Sequence, residues 1–202
     1  MTVRVLLAED QAMVRGAIAA LLSLEEDIEI VAEASRGDEV VPAALHAAPD
    51  VALLDVEMPG GDGLGAAAAL REKLPSCRVI ILTTFGRAGY LKRAMESGAV
   101  GFLLKDAPAS GLAVAIRRTM AGERVVDPGL AAAALSEGEN PLSAREREVL
   151  AASANGATIE DIAVKLYLSE GTVRNYLSTA IKKLGTRNRV EAARLAERKG
   201  WL

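Results

Sequence analysis

The first 122 residues predict an α/β fold, a five-stranded doubly wound parallel sheet, and the last 62 predict a small all-α domain of four helices. Three observations carry this. Five short apolar runs alternate with helical periodicity, the pattern of repeated β-α units. The central runs, Val51-Ala-Leu-Leu54 and Val79-Ile-Ile-Leu82, are apolar at every position, as in strands buried on both faces. Beyond residue 140 the apolar period becomes wholly helical.

Taken in order, strands are expected at about 3–8, 28–33, 51–55, 78–83 and 100–104. Helices are expected between and after them, at about 12–24, 37–47, 63–74, 86–97 and 109–122. Pro49 precedes the third strand, Pro75 ends the third helix, and Asp62 is a suitable N-cap for a helix starting near Gly63. Residues 123–140 read as a linker with a short helix at 129–135, because Ser136-Glu-Gly-Glu-Asn-Pro141 has turn chemistry and no apolar period. In 141–202 helices are expected near 143–155, 158–166, 170–184 and 189–199, separated by Asn155-Gly156, Tyr167-Leu-Ser169 and Gly185.

Composition narrows the classes of function. Half the residues are apolar but only six are aromatic, so Leu, Val, Ile and Ala must build the core. No run approaches the roughly 18 apolar residues needed to span a bilayer, and no signal peptide is expected ahead of Arg4, Glu9 and Asp10. Cys77 is alone, which removes a disulfide framework, and the single His46 argues against histidine-based catalysis. A cytoplasmic protein is expected. The net charge of −3 conceals an asymmetry: residues 1–128 hold 13 Lys/Arg against 18 Asp/Glu, and 141–202 hold 11 against 7. An acidic half that binds cations is thus joined to a basic half suited to a polyanion.

Each strand-like run of the acidic half, the second apart, ends in a polar residue of a particular kind. Glu9 and Asp10 follow the first, Asp55 closes the third, Thr83 the fourth, and Lys105 follows the fifth. Parallel strands gather their C-terminal ends at one edge, where open α/β sheets bind ligands. An aspartate is a poor nucleophile toward an anionic phosphoryl group unless a divalent cation offsets the repulsion. Magnesium (or manganese) prefers oxygen ligands. Asp10, Asp55 and the Glu57 carbonyl are the expected ligands, with Glu9 acting directly or through water. Thr83 can donate to a phosphoryl oxygen, and Lys105 can neutralise another or pair with the carboxylates.

Residues 1–122 resemble the receiver domain of bacterial response regulators. The resemblance rests on Leu7-Ala-Glu-Asp-Gln11, Leu54-Asp-Val-Glu-Met-Pro-Gly60, Leu82-Thr-Thr84 and Lys105-Asp106. It implies a flavodoxin-like strand order of 2-1-3-4-5 and phosphorylation of Asp55 by a sensor histidine kinase. It further implies a switch in which Thr83 moves to the phosphate and Phe102 turns inward. Phe102 lacks a hydroxyl to keep in water, so that switch is expected to be less rotamer-like. Glu57 and Phe85 flank the expected phosphate position.

In the basic half, Ser143 with Glu146, and Thr158 with Asp161, form expected capping boxes. Two short helices joined by a tight turn, with basic residues on the second, describe a helix-turn-helix. From Gly171 to Lys199 there are eight Lys/Arg against two Asp/Glu, an excess suited to phosphate backbones. Arg174, Asn175 and Ser178 share one helical face and can enter a major groove of double-stranded DNA together. Thr172, Tyr176, Lys182 and Lys183 read as phosphate contacts that set register. Val173, Leu177, Ile181 and Leu184 form the inward stripe. Residues 141–202 are similar to the LuxR-type DNA-binding domain through Leu142-Ser-Ala-Arg-Glu-Arg-Glu-Val-Leu150, Leu168-Ser-Glu-Gly-Thr-Val-Arg-Asn-Tyr176 and Ile181-Lys-Lys-Leu-Gly185. Together the halves resemble the NarL/FixJ class of two-component response regulators. The tail resembles the DesR-like branch, which implies a link to membrane-lipid and envelope stress.

The first helix carries two apolar stripes, Val14, Ile18, Leu21 and Leu22 toward the sheet and Met13, Ala17, Ala20 and Leu24 beside them. With Leu112 and Ile116 of the fifth helix, the second stripe is expected to form a homodimer interface favoured by phosphorylation. A paired molecule would read a two-fold operator. Two rivals are a phosphohydrolase using an aspartyl phosphate, against which Glu57 stands where such enzymes place a second aspartate, and an orphan regulator gated by another partner.

Overall fold

In the computed structural model residues 2–84, 88–106, 110–136, 140–154 and 156–202 are described. Phe85, Asn155, the linker residues 137–139 and the expected helix starts at 86 and 109 lie outside them. Two compact units form, the first from residues 1–86 and 91–132, the second from 87–90 and 133–202.

The first unit runs β1 (Val3–Ala8), α1 (Ala12–Leu22), β2 (Ile28–Ala34), α2 (Gly37–Ala47), β3 (Val51–Asp55), α3 (Gly63–Lys73), β4 (Arg78–Thr83), α4 (Ala88–Glu96), β5 (Gly101–Leu104), α5 (Ser110–Met120) and β6 (Val125–Val126). The strands form one parallel sheet in the order β2-β1-β3-β4-β5-β6. Because side chains alternate along a strand, the apolar runs fill both faces. Val5, Leu7, Val51, Leu53, Ile80 and Leu82 meet Leu22, Ala113 and Ile116 in one core, while Leu6, Leu54, Ile81 and Phe102 are buried as well. Asp62 caps α3 by accepting the Gly65 N–H at 2.6 Å.

Three expectations are corrected. The sheet has six strands, not five: Val125 and Val126, read as linker, pair with Gly101 and Phe102. A two-residue strand has no alternation to detect, and its pairing partner is the exposed edge of β5. Leu21 is 41 % exposed and does not face the sheet; Ile18 and Leu22 of the expected stripe do pack there, joined by Ala19. Ile116, placed on a dimer interface, is fully buried in the core, and Val114 is the α5 residue that reaches solvent at 50 %.

After α6 (Pro128–Ser136), the second unit holds α7 (Ala144–Ser153), α8 (Ile159–Leu166), α9 (Glu170–Leu184) and α10 (Arg189–Arg198). Ser143–Glu146 and Thr158–Asp161 both close as reciprocal capping boxes. Val149, Leu150, Ile162, Val173, Leu177, Ala180 and Ala192 build its core. No described helix is long and apolar enough to cross a membrane.

Candidate functional site

Parallel pairing of β1, β3, β4 and β5 brings four strand ends to one edge. Asp55 is the last residue of β3 and Thr83 the last of β4, while Glu9-Asp10 and Lys105 follow β1 and β5. Asp10, Gln11, Asp55, Glu57, Thr83, Thr84 and Lys105 line a single cleft there. Carboxylate oxygens of Glu9, Asp10 and Asp55 lie within 4.8 Å of one another.

Lys105 Nζ stands 2.6 Å from Glu9 Oε2 and 2.8 Å from Asp55 Oδ2. Glu9 is fully buried, Asp55 nearly so, and Asp10 is exposed. Burial, with repulsion from Asp55, pushes the Glu9 carboxyl above the usual carboxylate range. Burial also disfavours the Lys105 ammonium, but its bonds to Asp55 and Glu9 outweigh that and raise its pKa, so the cation is kept. Hard oxygen donors converging with one member open to solvent fit magnesium or manganese.

Backbone contacts fix the cleft. Lys105 N–H donates to the Thr83 carbonyl at 2.8 Å, and Val56 N–H to Leu82 at 3.3 Å. Gly63, opening α3, donates its N–H to the Val56 carbonyl at 3.0 Å. Gln11 and Thr84, given no role in the sequence reading although both lie in the receiver motifs, also line the cleft, and the sequence reading missed Arg15, which braces it from behind. Arg15 Nη1 donates to the Glu9 carbonyl at 2.7 Å and its Nε to Glu33 at 3.1 Å. Its signal was present: it is the only charged residue in the apolar α1.

In the second unit, α8 ends at Tyr167, whose φ of 55° turns the chain so that Ser169 caps α9. Arg174, Asn175, Ser178 and Lys182 lie exposed on α9, opposite buried Val173, Leu177 and Ala180. Tyr176 is half-buried and packs on the core. Within the module, Thr172 Oγ1 lies 2.8 Å from Ser169 Oγ, Arg174 pairs with Glu170 at 2.6 Å, and Lys183 pairs with Glu146 at 2.7 Å. On α1, Met13 is 87 % exposed and Ala17 and Ala20 are exposed too; Leu24, expected on this helix, lies in the turn beyond its end at Leu22 and is 77 % exposed, whereas Leu112 is half-buried.

Comparison with known proteins agrees with this arrangement. Residues 5–117 match the family described as the response regulator receiver domain, and residues 140–196 match the bacterial regulatory proteins of the luxR family. The chain is 48 % identical over 200 residues to the uncharacterized transcriptional regulatory protein YvfU of Bacillus subtilis, covering 99 % of this chain and 100 % of that one. It is 45 % identical over 199 residues to the transcriptional regulatory protein DesR of the same organism, 98 % of each being covered. The crystal structure of the response regulator ChrA, of a heme-sensing two-component system, aligns with a TM-score of 0.59 at 36 % identity, covering 100 % of this chain and 99 % of that one.

Proposed function

This chain belongs to the response regulators that join a receiver domain to a luxR-family DNA-binding domain, and on that premise we propose that Asp55 accepts a phosphoryl group from a sensor histidine kinase and thereby controls binding of the basic unit to DNA. It is a transcriptional regulator and not a dedicated enzyme. The observation that carries the proposal is the Lys105 ammonium bridging Glu9 and Asp55 at 2.6 and 2.8 Å inside an acidic cleft.

Glu9, Asp10, Asp55 and the Glu57 carbonyl would hold a divalent cation. When bound, magnesium or manganese supplies positive charge that offsets the repulsion between Asp55 and phosphoryl oxygens. Asp55 is the nucleophile, Thr83 donates its hydroxyl to one phosphoryl oxygen, and Lys105 leaves the carboxylates to neutralise another. Phe102, expected to turn inward on phosphorylation, is already fully buried on β5, so no inward turn of this ring accompanies the rearrangement.

The exposed Met13, Ala17 and Ala20 of α1, with Leu24 in the turn just past its end, then pair with the same face of a second copy. Two α9 helices, with Arg174, Asn175 and Ser178 at base edges, read half-sites about 10 base pairs apart or a multiple of that. A regulator that binds double-stranded DNA and takes its phosphoryl group from a sensor kinase would work in the cytoplasm.

The test is intact-mass spectrometry after incubation with magnesium and acetyl phosphate. Wild type gains one phosphoryl group and Asp55→Asn gains none; label on Asp55→Asn would remove Asp55 as acceptor. Light scattering with beryllofluoride checks the second step, the expected outcome being a doubled mass.

A further inference from the structure

Lys183, in the last turn of α9, is exposed, its side chain keeping 38 % of its surface in solvent, but its charge is engaged by a partner. Its Nζ lies 2.7 Å from Glu146 Oε2 in the first turn of α7. That same oxygen accepts the Ser143 backbone N–H at 2.7 Å and so closes the capping box of α7. Glu146 is only 5 % exposed. Burial favours its neutral form, yet the Lys183 ammonium and the Ser143 hydrogen bonds outweigh this and lower its pKa, so it remains ionised. A buried carboxylate stripped of its cation is strongly unfavourable, which opposes moving Lys183 to any outside anion. Neighbouring Lys182 is exposed as well, but no ion pair with it occurs among the described residues.

We propose that Lys183 is a positioning residue of the DNA-reading helix and not a phosphate contact: with Glu146 it fixes how α9 sits on α7, and hence which base edges Arg174 and Asn175 reach. One carboxylate joins the start of α7 to the end of α9, so the roll of α9 is set by the same oxygen that caps α7. The inference rests on the DNA-facing reading of α9's outer side.

Salt dependence separates a positioning cation from a contacting one, because each neutralised phosphate contributes about −0.9 to the slope of log K against log salt. Binding of the full chain to a fluorescent random-sequence duplex is followed by anisotropy across a sodium chloride series. Lys182→Gln makes the slope shallower by about 0.9. Lys183→Gln leaves it unchanged, yet lowers several-fold the preference for duplexes that the wild-type chain enriches from a random pool. Glu146→Gln keeps an amide oxygen able to cap α7 and frees the ammonium, so preference falls similarly while the slope steepens. A slope made shallower by about 0.9 in Lys183→Gln would overturn the proposal, as would an unchanged preference in both variants. Circular dichroism reports folding; if Lys183→Gln does not fold, unchanged slope and preference in Glu146→Gln overturn it alone. An unchanged slope for Lys182→Gln would remove the DNA-facing reading of α9 and this proposal with it.

Discussion

Gly63 packs so closely on the backbone of Asp55 that a β-carbon at position 63 would lie 1.9 Å from the Asp55 carbonyl oxygen. The first residue of α3 therefore sets the height of the β3 end, and with it the reach of the Asp55 carboxylate. Gly63→Ala must displace one or the other. Overpacking of this kind typically costs about 1–3 kcal/mol, and phosphorylation by acetyl phosphate is expected to slow by more than the stability loss explains. Gly16→Ala is the contrast: nothing lies within 4 Å of its β-carbon position, and in mid-helix it should stabilise by about 0.5–1 kcal/mol. Urea denaturation measures both.

Lys105→Met leaves Glu9 buried beside Asp55 without a cation. Removing one partner of a buried pair costs about 3–5 kcal/mol. The loss should be partly recovered by magnesium, since a ligand that binds only the folded state stabilises it. Thermal unfolding of the variant with magnesium and with a chelator checks this; identical midpoints would argue against a cation site here.

Thr83→Ala removes the hydroxyl at the end of β4. The variant is expected to accept phosphate on Asp55 while losing most of the phosphorylation-dependent gain in DNA affinity. Mass spectrometry and gel shifts on the same sample separate the two steps, and a full gain would exclude Thr83 as the coupling residue.

Thr119, on α5, is fully buried, and its hydroxyl has no hydrogen-bond partner among the described residues. A buried unsatisfied polar group costs about 1–3 kcal/mol. Thr119→Val, of nearly equal shape, should therefore stabilise the first unit, raising the urea midpoint.

Burial pushes the Cys77 thiol up to about 12, with the Asp50 carboxylate adding to it. In the unfolded chain the thiol returns to its ordinary value, so stability from this group is whole below that value and is lost as pH rises toward the folded pKa. Alkylation by iodoacetamide near neutral pH should be slow in the folded protein and fast in urea. Rapid labelling of the native chain would contradict the burial of Cys77.

The apolar strands were legible because a parallel sheet covered on both faces needs continuous Val, Ile and Leu, as in Val79-Ile-Ile-Leu82. The same logic exposed Glu9, Asp10, Asp55, Thr83 and Lys105, since parallel pairing carries every strand's end to one edge. The capping boxes at Ser143 and Thr158 were equally readable, because their reach is three residues. Residue types and short spacings were thus enough for the fold class, the cleft and the two helix starts capped by Ser143 and Thr158.

Other features depend on neighbours remote in sequence. Val125–Val126 becomes a strand only because the β5 edge is open to it, and Ile116 is core rather than surface because α5 lies with that side against β4. Arg15 braces the β1 end through the Glu9 carbonyl six residues earlier, and Lys183 is tied to α7 through Glu146, 37 residues away. Periodicity tells which residues share a face of one element; which element covers that face, and whether a charge meets water or a buried partner, is decided only when separate elements pack.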